Sequence, residues 1–434
     1  MISNRVRQLW ALVGFARLRT LSLVTFSHGF VAIAFFLQTI LLARILPLAE
    51  FGQVATLVAT ATVIEAAVGA RGNETALAAF TQLAPHDLTG RAALIRLLLR
   101  IDLIWSASIY AILTVALVVV GTAIGPHKWW LVVLMAGSFA AFPWGTTKSY
   151  LTVYCRPSVF PPIEMTYAAI TLLVGVGLSL VIGGLGFIIG TALASLARSI
   201  LGFRQARLSP RMIIERSEEE LPAVSRSIWL FGVTGTLRSG VLNFASQMDI
   251  LLLSAASGPA AVGLYRVAKT LSGVVQRLAQ PMWFVLKRHV IVGTLDADLM
   301  AHSRKVVILA SLGFAGIGVV AIPPMVYFSE QIAAFVFGEQ YRGAAQAIVW
   351  LVPGAWIFYA MTGWSSLFGS VAKSRKTVIS IYLLQVVLFA AIAYGMGVTH
   401  RSVALAMALS QVLVAASFWY LLLRPAHRPE TSAV

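Results

Sequence analysis

The sequence predicts an all-α polytopic membrane protein of about twelve transmembrane helices, arranged as two six-helix lobes related by a pseudo-twofold axis along the membrane normal. Three observations lead there. Of 434 residues, 59% are hydrophobic and 11% charged, about half the charge that a soluble domain carries. Apolar runs of roughly twenty residues, the length that crosses a bilayer as a helix, recur from end to end. They are uniformly apolar rather than alternating, which selects helices over a barrel, because an isolated spanning segment must satisfy its own backbone hydrogen bonds.

The expected spans lie near 21–43, 53–70, 102–124, 129–147, 158–182, 185–203, 228–254, 262–286, 306–328, 344–369, 377–397 and 402–423. The first is too long for a signal-peptide core and lacks a cleavage site, so it is read as a retained helix. With the N-terminus in the cytoplasm and sides alternating, 25 of the 33 lysines and arginines fall in cytoplasmic segments or at their helix ends, among them Arg5, Arg7, Lys148, Lys373 and Arg424. Arg44, Lys128, Arg342 and Arg401 fall on the other side. This asymmetry predicts that both termini are cytoplasmic. The net charge of +17 is then a matter of topology and of contact with anionic membrane lipids, and nucleic acid is not an expected partner.

The longest polar break, 204–226, holds Arg204, Arg207, Arg211 and Arg216 beside Glu218, Glu219 and Glu220. It reads as a cytoplasmic linker between an N-terminal lobe at 1–203 and a C-terminal lobe at 227–434. An internal match supports two equivalent halves: LLARILPLAEFGQVA at 41–55 lies over LLSAASGPAAVGLYR at 252–266, with Leu41 on Leu252, Ala49 on Ala260 and Gly52 on Gly263, an offset of 211. An even number of spans separates the copies, so they point the same way through the membrane and make a parallel repeat.

Three stretches resemble a known family. LLARILPLAEFGQVATLVATATVIEAAVGARGNETAL is similar to the opening helix pair of bacterial polysaccharide flippases, within the multidrug/oligosaccharidyl-lipid/polysaccharide exporter superfamily. DILLLSAASGPAAVGLYRVAKTLSGVVQRLAQPM resembles the matching pair of the second half, and FGEQYRGAAQAIVWLVPGAWIFYAMTGWSSLFGSVAKSRKT that family's tenth-helix region. The resemblance implies a central cavity and a bacterial inner-membrane location. It also implies a substrate, an undecaprenyl-pyrophosphate-linked glycan repeat unit moved to the outer face for exopolysaccharide or O-antigen-type export, and a glycan polymerase or export machinery as partner.

Charges at membrane depth cost a few kcal/mol at least, so they face protein or water and mark pathways. Arg238 and Arg277 each lie about 15 Å from the cytoplasmic ends of their expected helices, too deep for easy snorkelling. Both suit an anionic pyrophosphate, whose desolvation such cations would offset. Arg266, Lys269 and Arg277 fall within one stripe of the eighth helix, and Arg238 and Asp249 share a face of the seventh. Arg238, Arg277, Lys269 and Arg266 are therefore the candidate substrate-binding residues. Asp249 is a candidate gating residue in an ion-pair cluster with Arg266 and Lys269; the alternative is that those two cations snorkel and Asp249 merely neutralises them. Glu65 has no basic neighbour one turn away and needs a partner across space or a proton, which makes it a candidate coupling residue beside an ordinary structural pairing. His28, Gln38, Asn243 and Gln247 are polar groups inside helices, expected to hydrogen-bond between helices. The prolines Pro143, Pro161, Pro162, Pro281, Pro323, Pro324 and Pro353 are expected to bend or break helices.

No GK[ST] phosphate loop is present and no segment could hold an ATPase domain. The lone Cys155 permits neither an internal disulfide nor a cysteine metal site, and no cofactor or metal is expected. A membrane-embedded glycan polymerase or ligase would need a nucleophile, base or metal beside an accessible loop, which the short outer segments do not offer. A secondary-active exporter of drugs or small amphiphiles is the other alternative. A pathway for cations favours acidic lining, whereas the seventh and eighth helices are basic.

Overall fold

The computed structural model describes residues 15–82, 88–120, 128–154, 159–206, 225–293, 297–361 and 375–423. Within these it describes the side chains of 26–66, 92–115, 129–151, 159, 161–206, 240–279, 305–361, 377 and 379–420. Most of the expected linker, both chain ends, Cys155, the side chain of Arg238 and that of Pro281 lie outside these residues. Every regular element among the described residues is a helix.

In chain order the helices are α1 (Phe15–Ile45), α2 (Leu48–Gln82), α3 (Leu88–Val120), α4 (Lys128–Ala140), α5 (Phe142–Tyr154), α6 (Phe160–Ile170), α7 (Val176–Ile182) and α8 (Gly184–Ala206). There follow α9 (Ser225–Gly293), α10 (Ala297–Tyr327), α11 (Ser329–Phe337), α12 (Ala345–Met361), α13 (Arg375–Gly395) and α14 (His400–Leu423). Among the described residues ten segments are long and apolar enough to cross a membrane, and Ile379–Gly395 is a shorter apolar helix. One of the ten, Gly240–Ala279, is 40 residues long and is broken at Gly258. Counted as two passes, it brings the total to the twelve expected spans.

Local chemistry explains several boundaries. The expected fourth span is two helices meeting at Ala141, with Pro143 in the first turn of α5 and Trp144 N–H donating to the Ala141 carbonyl at 3.0 Å. Pro161 and Pro162 stand in the first turn of α6, where a missing N–H costs nothing. Between α6 and α7 the chain makes a π-helical turn, Thr171–Gly175. Pro323 and Pro324 lie inside α10, which runs on to Tyr327, and Gly338, at φ 116°, stops α11. Thr399 caps α14: its Oγ1 accepts the Ser402 N–H at 3.2 Å while Ser402 Oγ accepts the Thr399 N–H at 2.9 Å, a reciprocal box that satisfies two orphan donors. Hydroxyls inside apolar helices bond back one turn, as Thr39 does to Phe35 and Thr60 to Thr56, which spares them desolvation without a partner helix.

The chain divides into two compact units. The first comprises Met1–Pro47 and Thr56–Asn243, the second Leu48–Ala55 and Phe244–Val434. The first eight residues of α2 thus belong with the second half of the chain, and the division at Asn243 falls inside α9. In the first unit α8 packs against α4, α6 and α7, and Gly190 approaches Gly175 so closely that a Cβ there would lie 2.3 Å from the Gly175 Cα. In the second, α12 and α14 form the closest pairing, with a Cβ at Gly354 falling 2.7 Å from the Ala408 Cα. Small residues let membrane helices reach such contact, where packing rather than the hydrophobic effect holds them together. The apolar side chains left outside, such as Leu173, Val181, Val320 and Phe335, suit a lipid solvent.

Gly354→Leu should force α12 and α14 apart and cost about 1–3 kcal/mol or more. The check is thermal unfolding of the purified protein in detergent. Gly316→Ala, at a position with nothing within 4 Å of the added Cβ, should leave the transition unchanged or slightly higher.

Candidate functional site

A straight helix of 69 residues would be about 100 Å long, yet α9 folds back on itself. At Gly258 the backbone takes φ 79° and ψ 179°, a conformation open to glycine and strained for other residues. Asp249 lies nine residues before this reversal, and Tyr265 and Lys269 lie seven and eleven after it. The two arms run antiparallel, so these three side chains come level.

Asp249 is 1% exposed and all its acceptor positions are filled. Lys269 Nζ stands 2.8 Å from Oδ1 and 3.0 Å from Oδ2. Tyr265 OH donates to Oδ2 at 2.6 Å and the Ile250 N–H to Oδ1 at 2.8 Å. Lys269 also donates to the Ser246 carbonyl. Two donors on each oxygen saturate a carboxylate, which is how this charge is tolerated among apolar helices. The expected pairing of Asp249 with a cation of the eighth helix is therefore present with Lys269. Arg266 is half-buried and within electrostatic reach of Asp249, but makes no hydrogen bond to it. Arg277 is half-buried too and lies about 12 Å further along the arm. Between Gly240 and Ala279 there are thus three cations, Arg266, Lys269 and Arg277, for a single carboxylate.

Glu65 meets a partner of another kind. Its exposed carboxylate accepts from Ser138 of α4, and Ser138 also hydrogen-bonds with Tyr110 of α3. Around this lie polar groups that the sequence reading did not single out. The Arg198 guanidinium sits 4.2 Å from the centre of the Tyr167 ring and 5.7 Å from that of Trp144, within cation–π range. Tyr167 hydrogen-bonds with Ser195, and Glu65, Glu164 and Arg198 all act on it electrostatically. Lys148 Nζ lies 3.6 Å from Glu164 Oε1. Buried Asp102 of α3 accepts from buried Thr146 of α5. Asp102 and Glu164 are acidic residues within expected spans, a signal that was legible. Their partners, a threonine and a distant lysine, carried none. Of the other polar groups, Gln38 and Gln247 each hold a buried Oε1 without a hydrogen-bond partner among the described residues.

Solved structures share this fold. A MOP superfamily transporter from Pyrococcus furiosus superposes with a TM-score of 0.67 at 13% identity, over 92% of this chain and 94% of that one. The lipid II flippase MurJ in an inward closed conformation gives 0.67 at 12% identity, over 91% and 86%. An outward-facing multidrug resistance MATE family transporter of the same superfamily gives 0.66 at 13%, over 94% and 96%. At such identities the likeness establishes the fold. No protein-family model matches the sequence, and no curated protein is significantly similar to it.

Asp249→Ala should lower the unfolding temperature, because Lys269 would keep its buried position without a counter-charge; breaking a buried pair costs about 3–5 kcal/mol, and the 20% exposure of the Lys269 side chain places this case toward the lower end. Thermal unfolding of both single variants and of the double Asp249→Ala/Lys269→Ala checks it. The double variant should lose less than the sum of the singles.

Proposed function

We propose that this chain is a flippase that carries lipid-linked oligosaccharide or polysaccharide repeat units across a bacterial inner membrane by alternating access, with both termini in the cytoplasm. One observation carries the reading: the second arm of the α9 hairpin places Arg266, Lys269 and Arg277 within one segment apolar enough to span a membrane. Basic side chains at membrane depth suit a cargo that brings negative charge with it. A pyrophosphate linking a glycan to its lipid carrier is such a group, and guanidinium groups bind it through charge-assisted hydrogen bonds. Arg277 and Arg238 are assigned to the pyrophosphate, with Arg266 and Lys269 completing the basic stripe. An undecaprenyl carrier is the matching lipid, and a glycan polymerase or export machinery on the outer face would consume the product.

The fold is shared by a lipid II flippase and by a multidrug transporter, so fold alone does not choose between them. The charge of the hairpin favours the anionic lipid-linked cargo. Glu65, exposed and hydrogen-bonded by the Ser138 hydroxyl, is assigned to coupling, with Ser138 keeping its carboxylate oriented.

Arg277→Glu and Arg238→Glu should each abolish export at unchanged membrane level, read as accumulation of lipid-linked oligosaccharide facing the cytoplasm. Arg277→Lys should retain part of the activity, because charge is kept while the planar fork is lost. Normal export in the two glutamate variants would overturn the assignment. Glu65→Gln keeps a hydrogen-bonding side chain and removes the titrating proton, so its residual transport should no longer respond when the proton gradient is collapsed.

A further inference from the structure

Three helices of the first unit converge on one side chain. Trp144 and Lys148 stand one turn apart on α5, Glu164 and Tyr167 on α6, and Ser195 and Arg198 on α8, and residues at these spacings share a helix face. Both α5 and α6 pack on α8. The Arg198 guanidinium lies 4.2 Å from the centre of the Tyr167 ring and 5.7 Å from that of Trp144. The Tyr167 ring is itself held, hydrogen-bonded with Ser195 and met edge-on by Phe35 of α1 at 6.0 Å between ring centres. The rings therefore set the position of the guanidinium, but its edge is not used. Among the described residues Arg198 makes no hydrogen bond and no salt bridge, and of its three guanidinium nitrogens only Nε is shut off from the surroundings. The glutamates of this region are engaged elsewhere, Glu164 with Lys148 at 3.6 Å and Glu65 with Ser138.

We propose that Arg198, seated on these rings, binds the phosphate of a lipid head group in the cytoplasmic half of the membrane. Only the choice of side rests on the topology proposed above. Arg198 stands five residues before the end of its expected span at 203, about 8 Å inside the cytoplasmic boundary. From that depth an arginine ordinarily extends its side chain to the interface. This one is folded onto two aromatic rings instead. Stacking on a ring engages the flat face of a guanidinium and leaves its donor edge for a second partner, and that planar edge matches the oxygens of a phosphate. Local thinning of the bilayer around an arginine brings head groups to such a depth. Two kinds of lipid carry the chemistry: an anionic phospholipid, and a polyprenyl pyrophosphate of the kind proposed above as cargo.

The test titrates the purified full chain in detergent with phosphatidylglycerol in one arm and farnesyl pyrophosphate in the other, and counts bound lipid by native mass spectrometry. Arg198→Gln should weaken binding of at least one probe about tenfold, the effect of losing charge-assisted hydrogen bonds. Arg198→Lys should fall between, because the charge stays while the fork is lost. Tyr167→Leu, which keeps every charge and removes the ring, should also weaken binding, whereas Tyr167→Phe should not; a purely electrostatic role for Arg198 would leave both unchanged. Arg198→Lys and Tyr167→Leu carry the comparison if Arg198→Gln does not reach the membrane. Arg401→Gln, an exposed cation at the other end of the spans, should bind as the parent chain does. A loss confined to phosphatidylglycerol assigns the site to a resident phospholipid, and a loss with farnesyl pyrophosphate assigns it to the cargo's head group. Parental affinity for both probes in the Arg198 and Tyr167→Leu variants, or an equal loss in Arg401→Gln, would overturn the site. Neither arm measures export, so the site stands or falls apart from the flippase reading.

Discussion

The cost of placing charge among apolar helices orders most of what is seen in this molecule. Lipid offers no hydrogen bonds, so each ionised group within a span must find its partners inside the protein. Asp249 shows how completely that can be done: three donors of its own hairpin make four hydrogen bonds to its two oxygens. The arrangement is possible only because the chain reverses at Gly258, which brings residues twenty apart in sequence to the same level. The ion pair and the turn are thus one device. The pair fixes the register of the two arms, and that register sets where Arg266 and Arg277 lie along the second arm.

The same constraint explains what could and could not be read from the sequence. Helical spans and their number were legible because the bilayer demands a fixed length of apolar residues, and composition reports it directly. The basic stripe was legible because lysine and arginine are rare at depth. Partners were not. Glu65 is 73 residues from Ser138, and Asp102 is 44 from Thr146. Serine and threonine are common in membrane helices, so nothing in their identity announces a carboxylate across the gap. Arg198 falls near the cytoplasmic end of the expected span 185–203, yet its guanidinium lies on Tyr167. A positive charge near a span end satisfies the positive-inside pattern equally well whether it reaches water or folds inward on a ring, so the pattern is blind to the difference.

The two compact units handle charge differently. In the first, the described acidic residues Glu65, Glu164 and Asp102 meet hydroxyls or Lys148, and Arg198 meets aromatic faces. Charges are there spread over several helices. In the second, one carboxylate is sequestered at the core of the α9 hairpin by Lys269 and Tyr265, with Arg266 and Arg277 on the same arm.

The repeat carries a further consequence. Two copies of a segment in parallel orientation can meet either through different surfaces or through the same one, and here Gly52 and Gly263 meet through the same one. Self-complementary contacts of this kind require that whatever fits one copy also fits the other, which restricts both positions to residues that let backbones approach. Glycine at both positions follows from the contact geometry, because a Cβ at either would fall within 2.6 Å of a carbonyl oxygen. The weakest part of the sequence match, a pair of common small residues, is for that reason its most informative part, because the close approach of the two backbones requires glycine at both positions.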